Sequence, residues 1–382
     1  MAPGSCATSL DSDAARLVDG RELDGTLLKE VVKRFLRPLK VAVEARTGSI
    51  RARRAHERSI RQAPTIDEAI RTLEARWDLQ DLSKSLDSDA PENRPVFLLS
   101  AGWRSGSTLL QRLVMSSGET LVWGEPYDRA CYVQDLARSL RQFTSDYPPD
   151  HYILNHHLAE VRQQRAPVVE PTLEGDVDRT AGEADADSDR VGPELAGAWI
   201  ANMYPHPADL HAAHRAFLLR LFEAPARRAG FRFWGLKEVR LSVQDAFYLR
   251  WLFPAARFVF LIRNPYRAYR SYRRLGPWYD RWPDRLILTP RQFGEGWRTL
   301  AEGFIGRGSS LGHLVRHEEL TSGGASLSEL SASLGLDLGD EILGQRVTGR
   351  APVELDPIPA AELRLLRRAV QPLAEELGYQ PD

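Results

Sequence analysis

The 382-residue chain is 43% hydrophobic, with 51 basic and 52 acidic residues and a formal net charge of −1. That length can bury one large core or two modest ones, and the even charge balance removes overall basicity as a reason to expect nucleic acid. Two cysteines, Cys6 and Cys131, cannot build a disulfide framework. The opening "MAPGSCATSLDSDAARLVDG" lacks the basic-then-apolar pattern of a secretory leader. No stretch reaches the roughly 18 consecutive apolar residues of a membrane span, so a cytoplasmic protein without a transmembrane segment is expected.

Residues 1–21, rich in small and acidic residues, read as a disordered tail. Residues 22–94 read as a helical segment and linker. There "TLLKEVVKRFLRPLKVAVEART" and "TIDEAIRTLEARWDL" carry apolar residues at helical spacing, Pro38 divides the first, and arginine-dense "RTGSIRARRAHERSIRQ" between them reads as a solvated face. From residue 95 short apolar runs alternate with helical patterns. Strands are predicted near 96–100, 120–124, 231–236, 257–262 and 313–317, an α/β arrangement around a mostly parallel five-stranded sheet. Residues 127–230 read as a helical insertion at one edge of that sheet. Its helical stretches, "DRACYVQDLARSLRQF" and "DLHAAHRAFLLRLFEAPARR", flank an acidic, aperiodic segment near 168–195 that reads as disorder or a mobile loop.

The first strand runs into "VFLLSAGWRSGSTLLQRLV", residues 96–114. Val96 to Leu99 suit a strand buried on both faces, and Leu109, Leu110, Leu113 and Val114 recur at helical spacing. Between them lies a Gly/Ser turn with one arginine. Backbone N–H groups at such a helix start have no intrahelical partner and the helix dipole adds positive charge, which suits an anion. A nucleoside triphosphatase would carry G-x-x-x-x-G-K-[ST]; here Ser107 stands at the lysine position and the cation is Arg104, before Gly106. The loop therefore lacks the lysine that clamps β,γ-phosphates.

The second feature is "RFVFLIRNPYRAYRSYRR", residues 257–274, where a core strand ends at Arg263 and an Asn-Pro turn starts a helix bearing Ser271. An arginine at the carboxyl end of a parallel strand lies where such sheets bind ligands, and arginine with a hydroxyl suits a second phosphate. Arg267, Arg270, Arg273 and Arg274 read as a solvated basic face.

With "LVRHEELTS" near the C-terminus, these stretches in order resemble the sulfotransferases that use 3′-phosphoadenosine 5′-phosphosulfate; the resemblance covers roughly residues 95–382. It implies a nucleotide-kinase-like three-layer α/β/α sandwich, with N-terminal helices and the 127–230 insertion added. Arg104, Ser105, Gly106, Ser107, Thr108 and Leu109 would hold the 5′-phosphosulfate, and Arg263 and Ser271 the 3′-phosphate. In "LVWGEPYD", Glu125 stands where carbohydrate and protein-tyrosine members carry the base for the acceptor hydroxyl. In "FRFWGLKEVRL", Lys237, just beyond the third predicted strand, matches a lysine that contacts the leaving group's bridging oxygen. Glu125, Lys237 and Arg104 are thus the expected catalytic residues.

Sulfuryl transfer moves an SO3-like group in line between two oxygens, so the protein positions reactants and neutralises charge on the departing phosphate. No metal is needed, and none of the nine histidines forms a ligand set. His151, His156 and His157 are the fallback bases. The expected partner is a small-molecule or glycan acceptor. Rival readings are a kinase with an unusual phosphate loop, against which the missing lysine counts, and a non-catalytic nucleotide-binding scaffold, against which Glu125 and Lys237 count. Trp278, Tyr279 and Trp282 could floor a sugar or pack a loop.

Overall fold

The computed structural model describes residues 63–77, 79, 86–127, 130–144, 156–157, 203–275, 287–322, 325–344 and 356–381. The tail at 1–21, the helical pattern at 22–62, the acidic stretch at 168–195, His151 and the aromatics at 278–282 lie outside them.

Five parallel strands make the central sheet: β1 (Val96–Ser100), β2 (Thr120–Gly124), β3 (Phe233–Glu238), β4 (Arg257–Ile262) and β5 (Gly312–Arg316). They lie in the order β2-β3-β1-β4-β5. The expected α/β/α sandwich is the observed fold. The three central strands are buried along nearly their whole length, which is why their sequences are near-continuous apolar runs. The edge strands β2 and β5 are only partly covered.

Alternation of side chains across the strands separates two cores. Val96, Leu98, Val122, Phe233, Val259, Leu261 and Val315 face α2 (Ser107–Ser116) and its neighbours, packing on Leu110, Leu113 and Val114. Phe97, Leu99, Trp234, Leu236, Phe258, Phe260 and Ile262 face the opposite layer. There Trp234 meets Phe97 and Phe253 edge-on, with ring centroids 5.8 and 5.4 Å apart, and stacks on Phe222. That geometry suits aromatic quadrupoles and adds to the large area such rings bury.

The helix at Ile66–Trp77, α1, read as part of an N-terminal segment, buries Ile66, Ala69, Ile70 and Leu73 in this second core. The segment between β2 and β3 also joins it. After Tyr132–Ser139 (α3), a continuous helical stretch runs from Pro207–Leu218 (α4) through a π turn at Leu219–Glu223 to Ala224–Arg228 (α5), and Phe222 and Ala226 pack under the sheet. His156–His157, within the segment read as a helical insertion, pairs in parallel with Met203–Tyr204.

Two boundaries differ from expectation. The third strand starts at Phe233 rather than 231, because pairing with β2 begins where Thr120 meets Phe233. It then continues through Lys237 and Glu238, both buried, so two charged residues belong to the strand instead of following it.

Candidate active site

Every sequence-predicted site residue lies at the carboxyl end of the sheet or just beyond it. The β1–α2 loop turns through three left-handed residues, Gly102 at φ +82°, Arg104 at +61° and Gly106 at +91°. A non-glycine residue in that region costs on the order of 1 kcal/mol, so Arg104 is held there by its surroundings. Its carbonyl accepts from Arg263 Nη1 at 2.7 Å and its Nε donates to Ser271 Oγ at 2.8 Å. Among the described residues, the backbone N–H groups from Arg104 to Thr108 have no protein acceptor. Ser105 Oγ is likewise buried without a partner. A buried hydroxyl left unpaired is costly, as is an unpaired amide, so these groups suit an anion with several oxygens.

Arg263 follows β4, and the turn after it is firmly tied. Asn264 Oδ1 caps α6 (Pro265–Tyr272) by accepting from Tyr266 N at 2.9 Å and Arg267 N at 3.2 Å. Its own amide donates to Glu318 Oε1 at 3.0 Å, and Trp297 Nε1 donates to the Arg263 carbonyl at 3.0 Å. Burial, with Arg104 and Arg267 close by, lowers the pKa of the Arg263 guanidinium, while Glu318 opposes the shift. Arg263 Nε is buried and, among the described residues, has no acceptor. Two features read separately in the sequence thus form one cationic cluster, because β4 lies beside β1. Trp103 stacks on Tyr272 at its margin, with centroids 5.9 Å apart.

On the other side, β2 ends at Gly124, where a Cβ would stand 2.9 Å from Gln111 Oε1; Gln111 itself donates to Val122 O at 2.7 Å. Glu125 then turns to φ +45°, its amide donating to Lys237 O at 2.8 Å. The Lys237 ammonium donates to Glu125 Oε1 in an ion pair whose lysine is 5% exposed and whose carboxylate is 29% exposed. Lys237 lies beside Leu98 of β1, and so between Glu125 and the loop. Two of the three expected catalytic groups are therefore in direct contact.

The family model for the sulfotransferase family matches residues 95–290, about half of the sequence. The chain belongs to the sulfotransferase family. No curated protein matches it. Among solved structures, it is similar to the sulfotransferase domain of the Synechococcus PCC 7002 olefin synthase, with 20% identity over 75% of this chain and 95% of that one and a TM-score of 0.36. It is also similar to sulfotransferase STF9 from Mycobacterium avium, with 15% identity over 81% and 83% of the two chains and a TM-score of 0.38.

Two features of this sulfotransferase were not singled out from its sequence. Glu238 and Arg240 form a buried pair, 2.6 and 2.9 Å, whose arginine also donates to Cys131 Sγ at 3.8 Å. Burial pushes the Glu238 carboxyl up, against the pull of Arg240. The run "LKEVR" carried that signal, a second acid and base beside Lys237. His317, immediately after β5, reaches across to Gly106; its signal was a histidine at a strand end in the third matched stretch. Among the described residues no group of acidic, histidine or cysteine side chains could hold a metal.

Proposed function

We propose that this sulfotransferase moves the sulfuryl group of 3′-phosphoadenosine 5′-phosphosulfate to a hydroxyl of a carbohydrate or natural-product acceptor, as in the branch that includes carbohydrate and protein-tyrosine members. The observation that carries the reading is the convergence of Arg104, Arg263 and Ser271 beside a phosphate loop with unpaired amides and no Walker lysine. The loop from Arg104 to Leu109 receives the phosphosulfate and Arg263 with Ser271 receives the 3′-phosphate. Charge-assisted contacts of this kind are shorter and stronger than neutral ones.

In the transfer, the acceptor oxygen bonds to sulfur while the bond from sulfur to the bridging phosphate oxygen breaks. Glu125 takes the proton from the acceptor hydroxyl, and the electron pair of the broken bond remains on the departing phosphate, beside Lys237 and Arg104. The Glu125–Lys237 contact supports this division: once Glu125 is protonated, Lys237 loses its counter-charge and is free to follow the negative charge to the leaving group. Such placed charges act strongly in a site where water is scarce.

In domain terms, residues 95–382 form the sulfotransferase domain, the acceptor is bound through the 127–230 segment, and the protein acts in the cytoplasm. Adenosine 3′,5′-bisphosphate, the desulfonated donor, is expected to raise the melting temperature. Binding to the native state alone stabilises by about 2.7 kcal/mol at a hundredfold excess over Kd. ATP with Mg²⁺ is expected to do far less. Equal shifts from the two nucleotides would overturn the donor assignment in favour of a kinase.

A further inference from the structure

His317 has no part in the scheme above, yet it touches the loop at its most constrained point. Gly106 precedes α2 at φ +91°, the turn that leaves the loop amides unpaired. A Cβ placed there would overlap His317 Cδ2 and stand 2.6 Å from Nε2. The imidazole therefore fills the space that any side chain at 106 would need.

The ring is itself held in place. It begins a short helix, His317–Ser322, whose next residue, Glu318, accepts from the Asn264 amide at 3.0 Å and from Tyr379 OH at 3.4 Å. Leu320 of the same helix is fully buried. The charged groups around the ring are Arg263 at the end of β4, Arg267 on α6 and Glu318 beside it in sequence. Burial, Arg263 and Arg267 together push its pKa down to about 4, so at neutral pH it is an uncharged ring in a cationic corner.

We propose that His317 is a positioning residue: its ring braces Gly106 and so fixes the left-handed turn in the form that receives the donor's phosphosulfate. The proposal rests on the donor reading given above. It assigns His317 a role through shape, separate from the charges of Arg104 and Arg263. A brace of this kind acts before chemistry, on how much of the protein presents a binding-competent loop.

The test is a double-mutant cycle on adenosine 3′,5′-bisphosphate binding by calorimetry, using His317→Ala, Gly106→Ala and the pair together, with His317→Phe as the shape-preserving variant. His317→Ala is expected to weaken binding roughly tenfold, and His317→Phe to restore most of it. Gly106→Ala is expected to cost less in the His317→Ala background than in the wild type, by roughly fivefold or more, because the overlap is gone. In turnover, donor KM rises while kcat at saturating donor stays near the wild-type value. Independent losses at 106 and 317, or a His317→Ala protein that binds as the wild type does, overturn the proposal alone. A wild-type protein that ignores adenosine 3′,5′-bisphosphate overturns the donor reading first, and the brace with it.

Discussion

The side of the site assigned to the donor grows from the middle of the sheet, and the side assigned to the acceptor from its edge. β1 and β4 bury nearly every residue, and the groups that leave them are tied by the hydrogen bonds joining Arg263 to Arg104 and Asn264 to Glu318. β2 buries Thr120 and Val122 on one face and only half-buries Leu121 and Trp123 on the other, and Glu125 beyond it is anchored through Lys237, by the ion pair and one backbone hydrogen bond. On the proposed reading the nucleotide is thus offered a preformed surface, whereas the carboxylate proposed to accept the proton sits at the sheet's edge. Preorganisation matters most where charge develops.

The sharpest way to separate the two sides is Glu125→Gln. It keeps the size of the side chain and removes the proton acceptor, so kcat is expected to fall by about 10²–10⁴-fold. The melting shift caused by adenosine 3′,5′-bisphosphate is expected to stay as in the wild type. Full activity would remove Glu125 from the mechanism.

Arg240→Ala tests what supports the acceptor side from beneath. The Glu238–Arg240 side chains are 7% and 3% exposed, so the change leaves a buried carboxylate without its partner. A loss of about 3–5 kcal/mol is expected in denaturant unfolding. Replacing both residues with apolar ones of similar volume is expected to cost much less, since no unpaired charge remains. Equal losses for the single and double changes would show that the pair matters only as packing.

Arg263→Ala breaks the donor side instead. Donor binding is expected to weaken by roughly 1.5–3 kcal/mol, read by calorimetry, through loss of a charge-assisted contact to the 3′-phosphate. Adenosine 5′-phosphosulfate, which has no 3′-phosphate, is expected to be little affected. If both ligands lost affinity alike, Arg263 would act only through the Arg104 carbonyl it holds.

A further effect is expected in the pH dependence of folding. His211, His214 and His317 all have pKa values lowered by burial, so the unfolded chain takes up protons before the folded one does. Stability is then expected to fall as pH drops below about 6.5, His317 contributing down to about 4. His317→Phe should flatten part of that slope in unfolding measured across the range, leaving the share of His211 and His214. An unchanged slope would mean that His317 titrates alike in both states.

The strands were legible because burial on two faces writes itself as an unbroken apolar run, as in Val96–Leu99 and Phe258–Ile262. Lys237 was legible as a residue type but was placed outside the third strand, since a charged residue normally ends such a run. It stays inside because Glu125 neutralises it. That Arg104, Arg263 and Ser271 meet could not be read along the chain, because it depends on β4 lying next to β1. The same holds for His317 and Gly106, which are far apart in sequence and meet through the strand order. Partners that meet across the sheet leave no periodicity in either segment.

The strand order also bears on how the chain could be re-engineered. The stretch between Gly124 and Phe233 departs from the top of the outermost strand and rejoins the sheet at the bottom of its immediate neighbour. That stretch is a cassette, with Glu125 at its leading join. Its trailing part cannot be exchanged freely, because Phe222 stacks on Trp234 and Trp123 Nε1 donates to the Phe222 carbonyl at 3.0 Å. α3 is fixed as well, because Val133 and Ala137 lie in the same core, so the interchangeable portion is confined to residues between α3 and α4, and a graft that respects those limits leaves the phosphate loop its own supports.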